Sequence, residues 1–408
     1  MTAAHLSASP TAPDDRLLAS FITLGFVSLA AFAVLHHGMW RDELQAWIAA
    51  RGGAGAGLSP SAPMQAFNLV VAVTGVYVFT RYSPFTPLQK VLFALGYFPA
   101  YQYAAISGDY ALGLLGVWIC CTLASGPRAG AQRGRAWLLP ALWAVALMAA
   151  LVHLWPAPAS DATGSLGRSD RLADVLQAIP AALLPFRDAS QPVRIGLDVL
   201  GYVLVGVIAV GLAARRRALA FFLLATAGLL ALFYWSPVEG LSQAGYLYVV
   251  VIAALWLGTS ETGSPEVGGH LVSRAWRFAH GSGLTLLLLG QAVAGLRAIE
   301  LDRRHVVSNA RQAAEFLSSS RLAKYPVIWN QLGLRTLSDS QVVARADSIA
   351  RVQDDSVVVL VGRPLIARTA GVAPVARVAA FTGATRRDRD FYVYVVSPGG
   401  AGVSTGSR

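Results

Sequence analysis

Leu17-Leu18-Ala19-Ser20-Phe21-Ile22-Thr23-Leu24-Gly25-Phe26-Val27-Ser28-Leu29-Ala30-Ala31-Phe32-Ala33-Val34-Leu35 runs without a charge into His36-His37-Gly38-Met39-Trp40-Arg41-Asp42-Glu43-Leu44. A run of this length matches the ~20 apolar residues that cross a hydrocarbon core. The acidic pair Asp42-Glu43 then stands at a membrane exit, where ionisable groups are functional candidates by default. Similar runs recur at 61–80, 91–107, 110–127, 136–155, 195–214, 218–235, 240–260 and 278–296, with Asp198 the only charge inside one. The pattern predicts an all-α polytopic membrane bundle of about nine transmembrane helices over 17–299. Ala31-Phe32-Ala33 resembles a signal cleavage site, but Asp14-Asp15 in the leader and the length of the run favour a retained helix.

Composition agrees. Hydrophobic residues make up 55% of the 408-residue chain and charged residues 13%, against roughly 25% charged in a soluble domain; mean hydropathy is +0.52. Arginines and a lysine set the orientation. With residues 1–16 cytoplasmic, the inner loops hold Arg81 and Lys90; Arg128, Arg133 and Arg135; Arg215 to Arg217; and Arg274 and Arg277. The short outer hairpins at 107–110 and 236–243 hold none, which is the positive-inside pattern. Loops 36–60 and 156–194 and everything after residue 299 then lie outside. Arg297, Arg303 and Arg304 run against the rule, which long translocated domains obey poorly.

The formal charge of +11 is nearly all arginine, with no aromatic-interleaved basic run of the kind that tracks nucleic acid. Anionic lipid is the expected partner. Cys120 and Cys121 are adjacent in a span, make no metal set or useful disulfide, and are expected to pack as small hydrophobes. No metal or cofactor motif is present: there is no phosphate-cradling Gly-rich loop, HExxH or GxSxG.

After about Glu300 the pattern changes. Helices at 308–317 and 340–351 and strands at 325–329, 356–361 and 391–396 predict a small extracytoplasmic α/β domain over 300–397, with a disordered tail at 398–408. Within the first outer loop, Trp40, Leu44, Trp47 and Ile48 form one apolar stripe of an interfacial helix, with Asp42 and Glu43 off that stripe. Gly52 to Pro63 reads as linker. The acids either complement a helix dipole or serve chemistry; Asp109 either caps the following helix or faces a cavity.

Trp40-Arg41-Asp42-Glu43-Leu44-Gln45-Ala46-Trp47 resembles the first outer loop of GT-C type membrane glycosyltransferases. Tyr101-Gln102-Tyr103-Ala104-Ala105-Ile106-Ser107-Gly108-Asp109-Tyr110 is similar to a segment of bacterial GT-C-like proteins, and Ser308 to Leu317 is similar more loosely. The resemblance implies a multi-pass protein of the bacterial inner membrane that moves a sugar, with inversion, from a polyprenyl-phosphate donor at the outer face. It implies Asp42 as base with Glu43 as its orienting neighbour, and no cofactor. His36, His37, Arg41, Asp109 and Tyr110 are the substrate-binding candidates. Polyprenyl phosphate is already a good leaving group, so such an enzyme needs a base and cations more than a general acid. The chain departs from the pattern in having Gln102 for Glu, Gly108 for Arg, Ser242-Gln243 where Arg-His is expected, and no His-Pro-Pro between Arg51 and Met64. Two other classes therefore stay open: a non-catalytic relative in envelope polysaccharide or glycolipid assembly, and a transporter or sensor with an outer domain.

Overall fold

The computed structural model of the chain describes residues 13–37, 62–106, 110–125, 168–186, 190–235, 241–261, 269–304, 309–319, 325, 327–330, 346–350, 356–361, 375–382 and 391–396. The expected span at 136–155, the interfacial helix after Trp40 and the tail at 398–408 lie outside these residues. The chain forms two compact units, one of Met1–Leu35, Phe67–Ala157 and Leu166–Ile299, the other of His36–Ala66, Pro158–Ser165 and Glu300–Arg408.

The first unit is helical. Its elements are α1 (Pro13–His36), α2 (Ala62–Tyr82), α3 (Pro87–Ala94), α4 (Tyr110–Ser125), α5 (Arg168–Leu183), α6 (Gln191–Leu212), α7 (Arg216–Trp235), α8 (Leu241–Ser260), α9 (Gly269–Phe278) and α10 (Leu284–Arg304). Five stretches are long and apolar enough to cross a membrane: Asp15–His36, Gln191–Leu212, Arg216–Trp235, Gln243–Ser260 and the continuous Gly269–Arg304. On α1, Ala19, Ile22, Phe26, Ala30 and Ala33 are buried, while Phe21 is 72% exposed and Leu35 76%. A helix in water would carry polar residues on that exposed stripe. Here both stripes are apolar, as lipid contact requires, and Leu224 and Leu286 repeat the pattern on α7 and α10.

The run 91–107 is not one α-helix. Thr86 caps α3 through a capping box with Gln89 and Pro87 in the first turn, and α3 ends at Ala94. Gly96 and Pro99 then force a wide π-helical segment, Tyr97–Gln102, followed by turns to Ile106. Irregular backbone inside an apolar bundle must find partners. Asn68 on α2 supplies them, its amide donating to the carbonyls of Tyr103 (2.8 Å), Ala104 (3.1 Å) and Ile106 (3.4 Å). A second π segment, Ala279–Gly283, joins α9 to α10. There Gln89 donates to the carbonyls of His280 (3.0 Å) and Gly281 (3.3 Å).

One end of this unit gathers the basic residues. Asp15 and Arg81 lie within electrostatic reach of Lys90. Arg215 donates to the Gly258 carbonyl (2.8 Å) and stacks 3.6 Å over the Trp276 ring, and Glu261 accepts from the Ala218 amide at the start of α7. The opposite helix ends meet in an aromatic cluster. Tyr103 stacks on Tyr110 at 5.8 Å, and Tyr246 lies 5.8 Å from Tyr110.

The second unit contains a four-stranded sheet of β1 (Val327–Asn330), β2 (Val357–Val361), β3 (Val375–Phe381) and β4 (Phe391–Val396) in the order β1-β2-β4-β3. The β1–β2 pair is parallel and the other two pairs are antiparallel. Helix α11 (Ala310–Ser319) packs Ala313, Ala314 and Leu317 on Val358, Leu360, Val393 and Val395. Ala346 and Ala350 of a helical stretch at 346–350 cover Val357, Val359, Val361 and Val396 on the other face. Both faces of β2 are therefore buried, which is why it reads as an unbroken apolar run. Strand β3 escaped the sequence reading because Arg377 and three alanines interrupt its pattern and a bulge lies between Arg377 and Ala379.

Candidate functional site

Arg41, Asp42, Glu43 and Asp109 lie outside the described residues, so the structure neither joins nor separates them. His36 is exposed at the end of α1, and His37 is buried. His37 Nδ1 shares a hydrogen bond of 2.5 Å with Asp302 Oδ2, both side chains being shut off from solvent. That pairing ties the residue after α1 to the last turn of α10. Tyr110 opens α4 inside the Tyr103–Tyr246 cluster. Gln102, at the position where the resemblance implies Glu, is 2% exposed and accepts from the Tyr97 hydroxyl at 3.0 Å. Cys121 is buried and Cys120 half-buried, both free, as expected of packing residues. Among the described residues no cluster of His, Cys, Asp or Glu has metal-ligand geometry.

The segment 156–194, read as an outer loop, contains helix α5, and a cavity opens beside it. The cavity holds about 430 Å³ and is lined by charged Arg171 and Asp174 of α5 and Arg194 and Asp198 of α6. Gln177, Tyr234 at the end of α7 and Ala244 at the start of α8 complete its polar and small wall. Val175, Leu197 and Phe233 make the apolar wall. The spacing explains the convergence. Arg171, Asp174, Ala178 and Ala181 follow at i, i+3, i+7, i+10 on one face of α5, and Arg194, Leu197 and Asp198 at i, i+3, i+4 on α6.

Three contacts fix α5 in place. Pro180 has no N–H for the Leu176 carbonyl one turn earlier. The Tyr202 hydroxyl of α6 fills that vacancy at 3.0 Å. Gly201, next to it, lets α6 approach, since a Cβ there would lie 2.7 Å from Pro180 Cβ. Gln291 of α10 donates to the last carbonyls of α5, Ala182 (2.9 Å) and Leu183 (2.8 Å).

Among the described residues none of the four charged side chains of the cavity makes an ion pair or a side-chain hydrogen bond. Arg171 Nε is cut off from solvent with no acceptor. Unpaired charges of both signs around an open cavity suit a ligand that brings both acceptors and donors. Asp198 was visible in the sequence as the lone charge within a span. Arg171, Asp174 and Arg194 were passed over because parity placed them in a loop, although Leu172, Val175, Leu176 and Ile179 carry a helical period there. No family model, curated protein or solved structure matches the chain.

Proposed function

We propose that the chain is a multi-pass protein of a bacterial inner membrane, a GT-C-like glycosyltransferase that moves a sugar from a polyprenyl-phosphate donor at the outer face. The observation that supports this reading is the cavity of about 430 Å³ with four unpaired charges, set in a helical unit whose surface is apolar. Its volume lies in the range of small-molecule sites. A lipid-linked substrate fits such a scaffold, with a polar head for the cavity and a chain for the bilayer. In this reading nine spans carry the N-terminus inside and the sheet unit outside. The clustering of Arg81, Lys90 and Arg215 at one end supports the inner assignment of that end. Asp42 takes the acceptor's proton, and Glu43 orients it. The lipid-phosphate donor and anionic lipid are the partners.

The buried, hydrogen-bonded Gln102 favours a second reading, a non-catalytic relative in envelope polysaccharide or glycolipid assembly. Reconstituted protein incubated with a panel of radiolabelled polyprenyl-phosphate sugars and membrane glycan acceptors separates the two. Label transfer is the expected result; its absence across the panel removes the transferase reading.

A further inference from the structure

We infer that the cavity between α5 and α6 is the binding site for a sugar phosphate, with Arg171 and Arg194 as the phosphate ligands and Asp174, Asp198 and Gln177 as acceptors or donors for sugar hydroxyls. The inference deepens the transferase reading by naming where its donor's head is held.

Charge balance selects the ligand class. Two guanidinium groups call for an anion, and arginine meets phosphate oxygens through paired N–H donors. Two carboxylates in the same cavity repel a bare anion and accept only from donors such as hydroxyls. A ligand that carries a phosphate and several hydroxyls together satisfies all four. Arg171 Nε, closed off from solvent with no acceptor of its own, points to the same conclusion, since its N–H is left unsatisfied until an acceptor arrives. The volume of about 430 Å³ fits one phosphosugar head and no more of an amphiphile.

The surroundings select the source. Val193 is 53% exposed, Ile195 57% and Val199 57%, all on α6 beside the charged positions 194 and 198. Leu172 on α5 is 52% exposed. An apolar chain leaving the cavity meets apolar helix surface at once, so the phosphate is that of a lipid-linked sugar. A soluble sugar phosphate would gain nothing from these residues.

The test uses the full chain in lipid nanodiscs and a short prenyl-phosphate hexose as probe, with hexose 1-phosphate and inorganic phosphate as the other arms. Binding is read by microscale thermophoresis. The prenyl-phosphate hexose should bind at least tenfold more tightly than hexose 1-phosphate, and inorganic phosphate more weakly still. Arg171→Gln and Arg194→Gln should each weaken the probe about tenfold to a hundredfold, the scale of a lost charge-assisted hydrogen bond. Arg274→Gln, on exposed α9, should bind as the parent does. Should either cavity variant fail to fold, an Ala181→Cys chain with Cys120 and Cys121 replaced by alanine reports without touching the proposed ligands: the probe should protect the new thiol from a maleimide. Parent-like affinity in both arginine variants overturns the site, as does labelling that ignores the probe. Equal affinity for hexose 1-phosphate overturns the lipid-linked source. The two readings fail separately, since a parent that binds the probe yet transfers no sugar refutes the transferase, and transfer with unchanged affinity in the arginine variants refutes the site.

Discussion

Replacing Gly295 with alanine should destabilise the helical unit, although alanine is the better helix former. Gly295 lies inside α10, where the chain crosses the broken stretch between α3 and the π segment. A Cβ built there lies 2.7 Å from the Leu95 carbonyl oxygen, 2.9 Å from the Tyr97 nitrogen and 3.0 Å from the Gly96 carbonyl carbon. All three are main-chain atoms, and the turn that holds them is itself fixed by the Gly96 amide donating to Phe93. No side-chain rotation can relieve the contact, so α10 must move away or the turn must distort. Overpacking of this kind costs about 1–3 kcal/mol. Gly116 in α4 is the matched control, since a Cβ there meets nothing within 4 Å. Gly116→Ala should therefore gain about 0.5–1 kcal/mol from the helix preference alone. The two substitutions are chemically identical and carry opposite signs. Thermal unfolding of the purified protein in one detergent, followed by tryptophan fluorescence, should place Gly295→Ala below the parent and Gly116→Ala at or above it. A Gly295→Ala chain that melts at or above the parent would refute the close approach of α10 to residues 95–97.

Asn68→Leu keeps the volume but strips the donor from the carbonyls of Tyr103, Ala104 and Ile106, and should lower stability by about 1–3 kcal/mol in the same melt. His37→Ala and Asp302→Ala should each cost about 3 kcal/mol or more, and the double variant less than their sum, because the second change removes a partner already lost. Reporter fusions after Arg135 and after Arg303 should report opposite sides of the membrane, and one shared side would sink the nine-span arrangement. Asp42→Asn should lower sugar transfer about 10²–10⁴-fold with little change in protein level; full transfer by that variant would dismiss Asp42 as base.

Much of the helical architecture was legible because lipid-facing and core-facing residues are both apolar, which makes spans stand out as uncharged runs. α1, α6, α7 and α8 fall close to where those runs lie. The same signal hides irregularity. The run 91–107 contains no charge, so hydropathy passes it as one span, while Gly96 and Pro99 break its backbone. The outer segment 156–194 failed in the opposite way: charges at Arg171, Asp174 and Arg194 marked it as loop, and its apolar period went unread. His37 finds its partner 265 residues away, a distance no local pattern encodes. In the sheet unit, strands with continuous valines were found, and the edge strand with Arg377 was not.

The polar residues of the apolar helices fall into two groups that sequence alone cannot separate. Asn68, Gln89, Tyr202 and Gln291 all donate to carbonyls that a helix has let go, at turns after a π segment, within a π segment, opposite a proline or at a helix end. Each repairs a backbone defect, and each is needed because water cannot. Arg171, Asp174, Arg194 and Asp198 make no such bond: these four line a cavity with no ion pair between them. Charge inside an apolar scaffold is costly, so it persists where function needs it or where a partner offsets it. Among the described residues no ion pair offsets these four, and the cavity they line is where the functional reading rests.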